Sequence, residues 1–123
     1  MAQPDRIEIK DLLLRGIVGV NENERRKRQD ILVNLVMTAD TRAVAAADSL
    51  DGALNYRTVS KQIIALVEDA QFHTVERLAA EIARLVVTGH PVGQVQVTVE
   101  KPGALRFARS VGVTVTRGPE DFP

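Results

Sequence analysis

Apolar and polar positions alternate along this chain with two periods, and the switches between them lay out the fold. From Arg6 to Leu14 the period is two. Ile7 and Ile9 face one way and Arg6, Glu8 and Lys10 the other, which predicts a strand. Leu12–Leu14 breaks that alternation and marks a twist or bulge. Gly16–Gln29, GIVGVNENERRKRQ, reads as a polar connection punctuated by Gly16 and Gly19. Ile31–Thr38, rich in branched residues, predicts a second strand antiparallel to the first. The alanines of Asp40–Ala47 favour a short helix. Asp51-Gly52 signals a turn within the loop Asp48–Asn55. A helical period follows in Tyr56–Ala70, where Val59, Ile63, Leu66, Val67 and Ala70 form a stripe and Asn55 or Thr58 serves as cap. It recurs in Thr74–Thr88, with Val75, Leu78, Ala79, Ile82, Leu85 and Val86, before Gly89 and Pro91 end it. The period of two returns in Val92–Lys101 and again in Ser110–Arg117, and Gly118–Pro123 reads as a loose tail.

The layout is β-β-α-α-β-β. It predicts an α+β fold, a four-stranded antiparallel sheet with two main helices on one face. The other face carries Arg6, Glu8, Lys10, Gln94, Gln96, Thr98 and Glu100, residues suited to solvent or a wet lumen. The two sheet edges are a hazard that closure into a ring removes, so the pattern points to subunits joined edge to edge.

Composition narrows the classes. The 123 residues, 45% hydrophobic, suffice for one domain with its own core. Sixteen basic residues balance sixteen acidic ones, and the aromatics are limited to Tyr56, Phe72, Phe107 and Phe122. Neither feature suits a nucleic-acid surface. No apolar run reaches the length of a membrane span, and the first residues lack the apolar stretch of a signal peptide, so a cytoplasmic location is expected. The absence of cysteine excludes disulfides and thiolate chemistry.

Four places carry candidate chemistry. Val95, Val97 and Val99 alternate with Gln96, Thr98 and Glu100, which puts Lys101 in line with the valines just before the break at Pro102-Gly103. A lysine there either snorkels to solvent or serves as a partly desolvated acid/base. Tyr56 falls on the apolar side at its helix entrance, as a core-closing tyrosine or a site phenol. Glu76 shares a helical sector with Ala80, Ala83 and Val87, on the shoulder of the apolar face. Within the first turn it either complements the helix dipole or accepts N–H donors from a ligand. The run Asn21–Arg28 is either a solvated loop or the source of an acid and of cations for anionic substrate groups.

Taken in order, Val18-Gly19-Val20, Glu24, Gln29, Leu54-Asn55-Tyr56, Thr74-Val75-Glu76-Arg77-Leu78-Ala79 and Val99-Glu100-Lys101-Pro102-Gly103-Ala104 resemble the dihydroneopterin aldolases of folate biosynthesis. The likeness spans about Arg6 to Arg117. Each piece alone is weak, and the ordered set at this spacing is strong. Lys27-Arg28-Gln29-Asp30, Ala53–Val59 and Ala104-Leu105-Arg106-Phe107-Ala108 also look like the sister enzyme, dihydroneopterin triphosphate 2'-epimerase.

The resemblance implies the tunnelling fold, in which four subunits close a β-barrel ring and two rings stack as a homo-octamer. It implies a small dihydropterin substrate at a site between subunits. Glu76 binds the ring N–H groups with help from the Val75 backbone, Tyr56 comes from the neighbouring subunit, and Glu24 and Lys101 flank the substrate side chain. The expected reaction is retro-aldol cleavage of dihydroneopterin to hydroxymethyl-dihydropterin and glycolaldehyde. The C=N bond of the dihydropterin is the electron sink, so neither a lysine Schiff base, a cofactor nor a metal is called for. Cysteine-free and with only His73 and His90, the chain offers little for a zinc site. Lys101 is the expected acid/base, Tyr56 the proton donor to the enol and Glu76 the anchor. Re-addition of the aldehyde on the other face gives 2'-epimerisation. A non-catalytic pterin-binding ring protein is the alternative from another class.

Overall fold

The computed structural model describes residues 4–123. Strand β1 (Arg6–Val18) leads into a short helix α1 (Glu22–Arg26) and strand β2 (Gln29–Thr38). Helices α2 (Arg42–Ala47) and α3 (Tyr56–Asp69) follow, then β3 (Gln71–Phe72) and α4 (Val75–Gly89). Strands β4 (Gln94–Pro102) and β5 (Ser110–Arg117) complete the sheet, and a 3-10 turn (Pro119–Asp121) closes the chain.

The α+β class holds, but the sheet is mixed and has five strands, in the order β3-β1-β2-β4-β5. The expected β-β-α-α-β-β order is therefore too simple. The strands β1, β2, β4 and β5 are antiparallel neighbours, and β3 adds a parallel pair, Ile17 with Phe72's neighbour Gln71 and Val18 with Phe72. Two residues without alternation give no periodic signal, so β3 is invisible to pattern reading. The connection Gly16–Gln29 is also more ordered than its polarity suggests. β1 continues to Val18, and Asn21 starts α1 with a reciprocal cap, its side chain accepting from the Glu24 N–H at 2.9 Å.

The break at Leu12 is a bulge. Register shifts between Ile9 and Leu12, Asp11 takes φ 55°, and its N–H donates to Asn34 Oδ1 at 2.8 Å. The bulge swaps the faces of β1, so that Ile7 and Ile9 before it and Leu14 and Val18 after it all meet the core. That core lies between the sheet and α3 and α4. Val33, Leu35, Met37, Val95, Val97 and Val99 meet Val59, Ile63, Leu78 and Ile82, each buried. The tail is not loose. The Gly118 N–H donates to Asp121 at 2.8 Å, Phe122 packs against the core, and the Arg84 guanidinium lies 5.3 Å from its ring centre.

α3 is capped by Asn55, whose side chain accepts from the N–H groups of Arg57 and Thr58. α4 is capped by Thr74, which accepts from the Arg77 N–H. The sheet end holding Val18, the start of β2 and the end of β4 is also the end where α3 stops and α4 begins, because β3 lies between those two helices and pairs with Val18. Gly16 permits that crowding: a Cβ there would sit 2.6 Å from the Val67 carbonyl of α3.

Candidate active site

The period of two puts Lys101 on the helix-facing side of β4, and there it is 9% exposed. It does not snorkel. Its ammonium donates to the Val18 carbonyl at 2.9 Å and to Glu24 Oε2 at 2.5 Å. Glu24 is delivered by the capped turn of α1, and its second oxygen accepts from the N–H groups of Val20 and Asn21. The bonded Lys101 ammonium holds the Glu24 carboxyl below its ordinary value, against the opposite pull of burial. Gly19 makes room for this packing, since a Cβ there would stand 2.2 Å from Glu24 Cβ. Glu22 instead pairs with Arg26 on the outer side of α1, and that leaves Glu24 as the acid facing the lysine.

Sequence reasoning gave no role to the backbone around this pair. The Val18 carbonyl accepts from the Gln29 side chain at 3.0 Å as well as from Lys101. The Gly19 N–H donates to the Phe72 carbonyl at 3.1 Å, and Arg25 Nη1 donates to that same carbonyl at 2.9 Å. These bonds tie the lysine–carboxylate pair to β3 and so to the start of α4. Val75 and Glu76 occupy the first turn there. Val75 is half-buried and Glu76 is exposed, with Ala83 and Val87 buried further along its sector. The carboxylate of Glu76 thus stands at the positive end of a helix, open to a ligand.

Tyr56 is elsewhere. It is 46% exposed and does not close the core, which corrects the apolar placement drawn from the helical wheel. It opens α3, whose other end meets β3. At about 1.5 Å per residue the helix spans roughly 20 Å, so Tyr56 lies a helix length from the end of α3 that meets β3. The buried Leu54 closes the core at that point instead. A cleft of about 460 Å³ at the opposite sheet end, lined by Pro4, Asp5, Thr38, Asp40, Arg42 and Pro91, includes none of these residues. Among the described residues no cluster of three His, Asp or Glu side chains is placed to hold a metal ion.

One chain therefore presents a buried lysine bonded to a half-buried carboxylate, at the sheet end where α4 begins with the exposed Glu76, on an α+β scaffold. The family model for dihydroneopterin aldolase (FolB) matches residues 7–116, and the chain belongs to that family. A dihydroneopterin triphosphate 2'-epimerase of Pseudomonas aeruginosa is 42% identical over 110 residues, which are 89% of each chain. A dihydroneopterin aldolase of Streptomyces coelicolor is 38% identical over 112 residues, 91% of this chain and 94% of that one. The solved structure of Escherichia coli dihydroneopterin aldolase in complex with neopterin superposes with a TM-score of 0.90 at 32% identity, covering 93% of this chain and 99% of that one.

Proposed function

We propose that the protein is a lyase that cleaves dihydroneopterin to hydroxymethyl-dihydropterin and glycolaldehyde in folate biosynthesis. The observation that carries the reading is the Lys101 ammonium held between Glu24 and the Val18 carbonyl, at the sheet end where α4 presents Glu76. Glu76 and the Val75 backbone anchor the pterin ring, which leaves its side chain at Lys101. The lysine exchanges a proton with the 2'-hydroxyl while the carbon–carbon bond to C1' breaks. The electron pair moves into the neighbouring C=N bond of the ring. Tyr56 of a second copy then gives a proton to the resulting enol. The side chains themselves supply the acid/base work, with no Schiff base and no metal.

The separation of Tyr56 from Lys101 supports a site shared between copies, and the unpaired edge of β5 suits edge-to-edge joining. The assembly we infer is a tunnelling-fold ring of four subunits, stacked in pairs as an octamer, in the cytoplasm. The 42% identity to an enzyme named for the triphosphate favours a second reading, 2'-epimerisation of dihydroneopterin triphosphate by the same constellation. A product assay tests both. The purified protein is given dihydroneopterin and its triphosphate separately, and the pterins are resolved by chromatography. Hydroxymethyl-dihydropterin from the free diol establishes the cleavage. A 2'-epimer from the triphosphate with little cleavage moves the protein to the epimerase branch. Turnover of neither substrate leaves a binding module.

A further inference from the structure

Phe107 is fully exposed, and its φ of 68° places a bulky side chain in the left-handed region. Such a conformation persists only where its surroundings enforce it. Here the loop that leaves Lys101 is closed on itself. The Gly103 N–H donates to the Arg109 carbonyl at 3.1 Å, Ala104 to Lys101 at 3.3 Å, and Ala108 to Leu105 at 3.3 Å. The Arg106 guanidinium lies 5.1 Å from the Phe107 ring centre. The strained, wet phenyl ring thus serves as a shelf under a cation.

Arg109 on the same loop pairs with Glu100 at 3.7 Å, but among the described residues no carboxylate lies within ion-pair distance of Arg106. The arginines of the basic run Arg25–Arg28 are committed to the fold. Arg25 holds the Phe72 carbonyl, Arg26 pairs with Glu22, and Arg28 donates to the Arg15 carbonyl. A guanidinium stacked on an aromatic face keeps its N–H edge available for two parallel bonds to a phosphate.

Resting on the reading above, we propose that Arg106 is a specificity-determining residue: it pairs with a phosphate ester on the substrate's side chain, and Phe107 positions it. The side chain of a pterin anchored at Glu76 ends at Lys101, and the loop starts there.

The test compares the full-length protein with R106Q, R106K and F107A, measuring kcat/KM on dihydroneopterin triphosphate and on dihydroneopterin. The expected result is a fall of about 10- to 100-fold in the triphosphate-to-diol ratio for R106Q, carried by KM. R106K and F107A fall between, since one keeps the charge without the planar stack and the other loses the shelf. A ratio that stays constant in R106Q, with both substrates equally affected or unaffected, overturns the proposal. So does wild-type protein that cleaves the diol and ignores the triphosphate, which leaves the aldolase reading standing. Protein inert toward both substrates overturns that reading instead, and binding of inorganic tripolyphosphate by calorimetry then decides. Binding at least about 10-fold weaker in R106Q upholds the anion site, and equal or absent binding ends it.

Discussion

The ammonium of Lys101 and the carboxylate of Glu24 stand 2.5 Å apart, although 77 positions separate them in the chain. Each is placed by a different rule. The pleat of β4 turns Lys101 inward, and the capped first turn of α1 fixes Glu24. A buried ammonium without a partner is costly, and here the carboxylate and the Val18 carbonyl supply the partners. Such a pair adds little to the stability of a core, which fits the proposed role of Lys101 in proton exchange with the substrate.

Lys101→Ala removes the proposed proton carrier without touching the helix that presents Glu76. Turnover of the dihydropterin should fall by about two to four powers of ten, the usual contribution of a general acid/base. Pterin affinity, read by fluorescence titration, should change little. Full turnover in the variant would take Lys101 out of the mechanism.

The Glu24 carboxyl titrates below its ordinary value, first because of its hydrogen bond from Lys101 and with burial opposing. A depressed folded-state value stabilises the protein above the unfolded value of 4.5, and that contribution disappears as pH falls through the folded value. Glu24 should therefore stay ionised below pH 4.5 in a carboxyl NMR titration. Lys101→Met should raise its midpoint toward the ordinary value, because the bonded cation is gone. A Glu24 midpoint unmoved by that substitution would mean that the ion pair does not hold its charge in solution.

Much of this was legible in the chain. The valine alternation put Lys101 on the core face, and the helix stripes marked α3 and α4 within a residue or two. What was not legible has physical causes. The two residues of β3 have no period, α1 is too short and polar to show a stripe, and the Val18 carbonyl is a backbone atom without a side-chain signature. Tyr56 was misplaced because a helical wheel knows direction around an axis and not where the packed core ends along it. Glu24 entered through the family resemblance alone, and the capping box supplies the physical reason that it faces the lysine.

Two glycines should separate stability from activity. An alanine Cβ at Gly16 would meet the Val67 carbonyl at 2.6 Å and Ile31 at 3.1 Å, inside the seam between β1 and α3. Gly16→Ala should cost about 1–3 kcal/mol as an overpacking change, visible as a lower urea midpoint. Gly19→Ala would instead drive a methyl into Glu24 and push α1 away from Lys101. It should lower turnover more than stability. Equal activity in Gly19→Ala and the parent would show that α1 can shift without disturbing the pair.

Glu76 stands exposed in the first turn of α4, where nothing in the chain's own core needs its charge. Glu76→Gln keeps the shape but removes the charge and turns one of the two acceptor oxygens proposed for the ring N–H groups into a donor. Pterin binding should weaken by about 2 kcal/mol, the scale of hydrogen bonds to a charged partner. Thermal stability should stay near the parent's, because the macrodipole effect of one surface acid is small. Unchanged affinity in the variant would remove Glu76 from the pocket.

Tyr56 supplies the sharpest test of a shared site. It is half-exposed and opens α3 at the end away from β3, a helix length of roughly 20 Å. The proposed tyrosine at Lys101 is therefore expected to come from another copy. Tyr56→Phe and Lys101→Ala should each lose cleavage when expressed alone. Co-expressed and randomly assembled, they should recover about a quarter of parental cleavage, because a site that takes its lysine from one variant and its tyrosine from the other is intact. A site built within one chain recovers nothing, whatever the ratio of the two. The recovery should also vanish when the variants are purified apart and mixed without exchange of subunits. Cleavage by Tyr56→Phe alone at the parental rate would remove the phenol from proton delivery and leave the lysine pair as the whole of the chemistry.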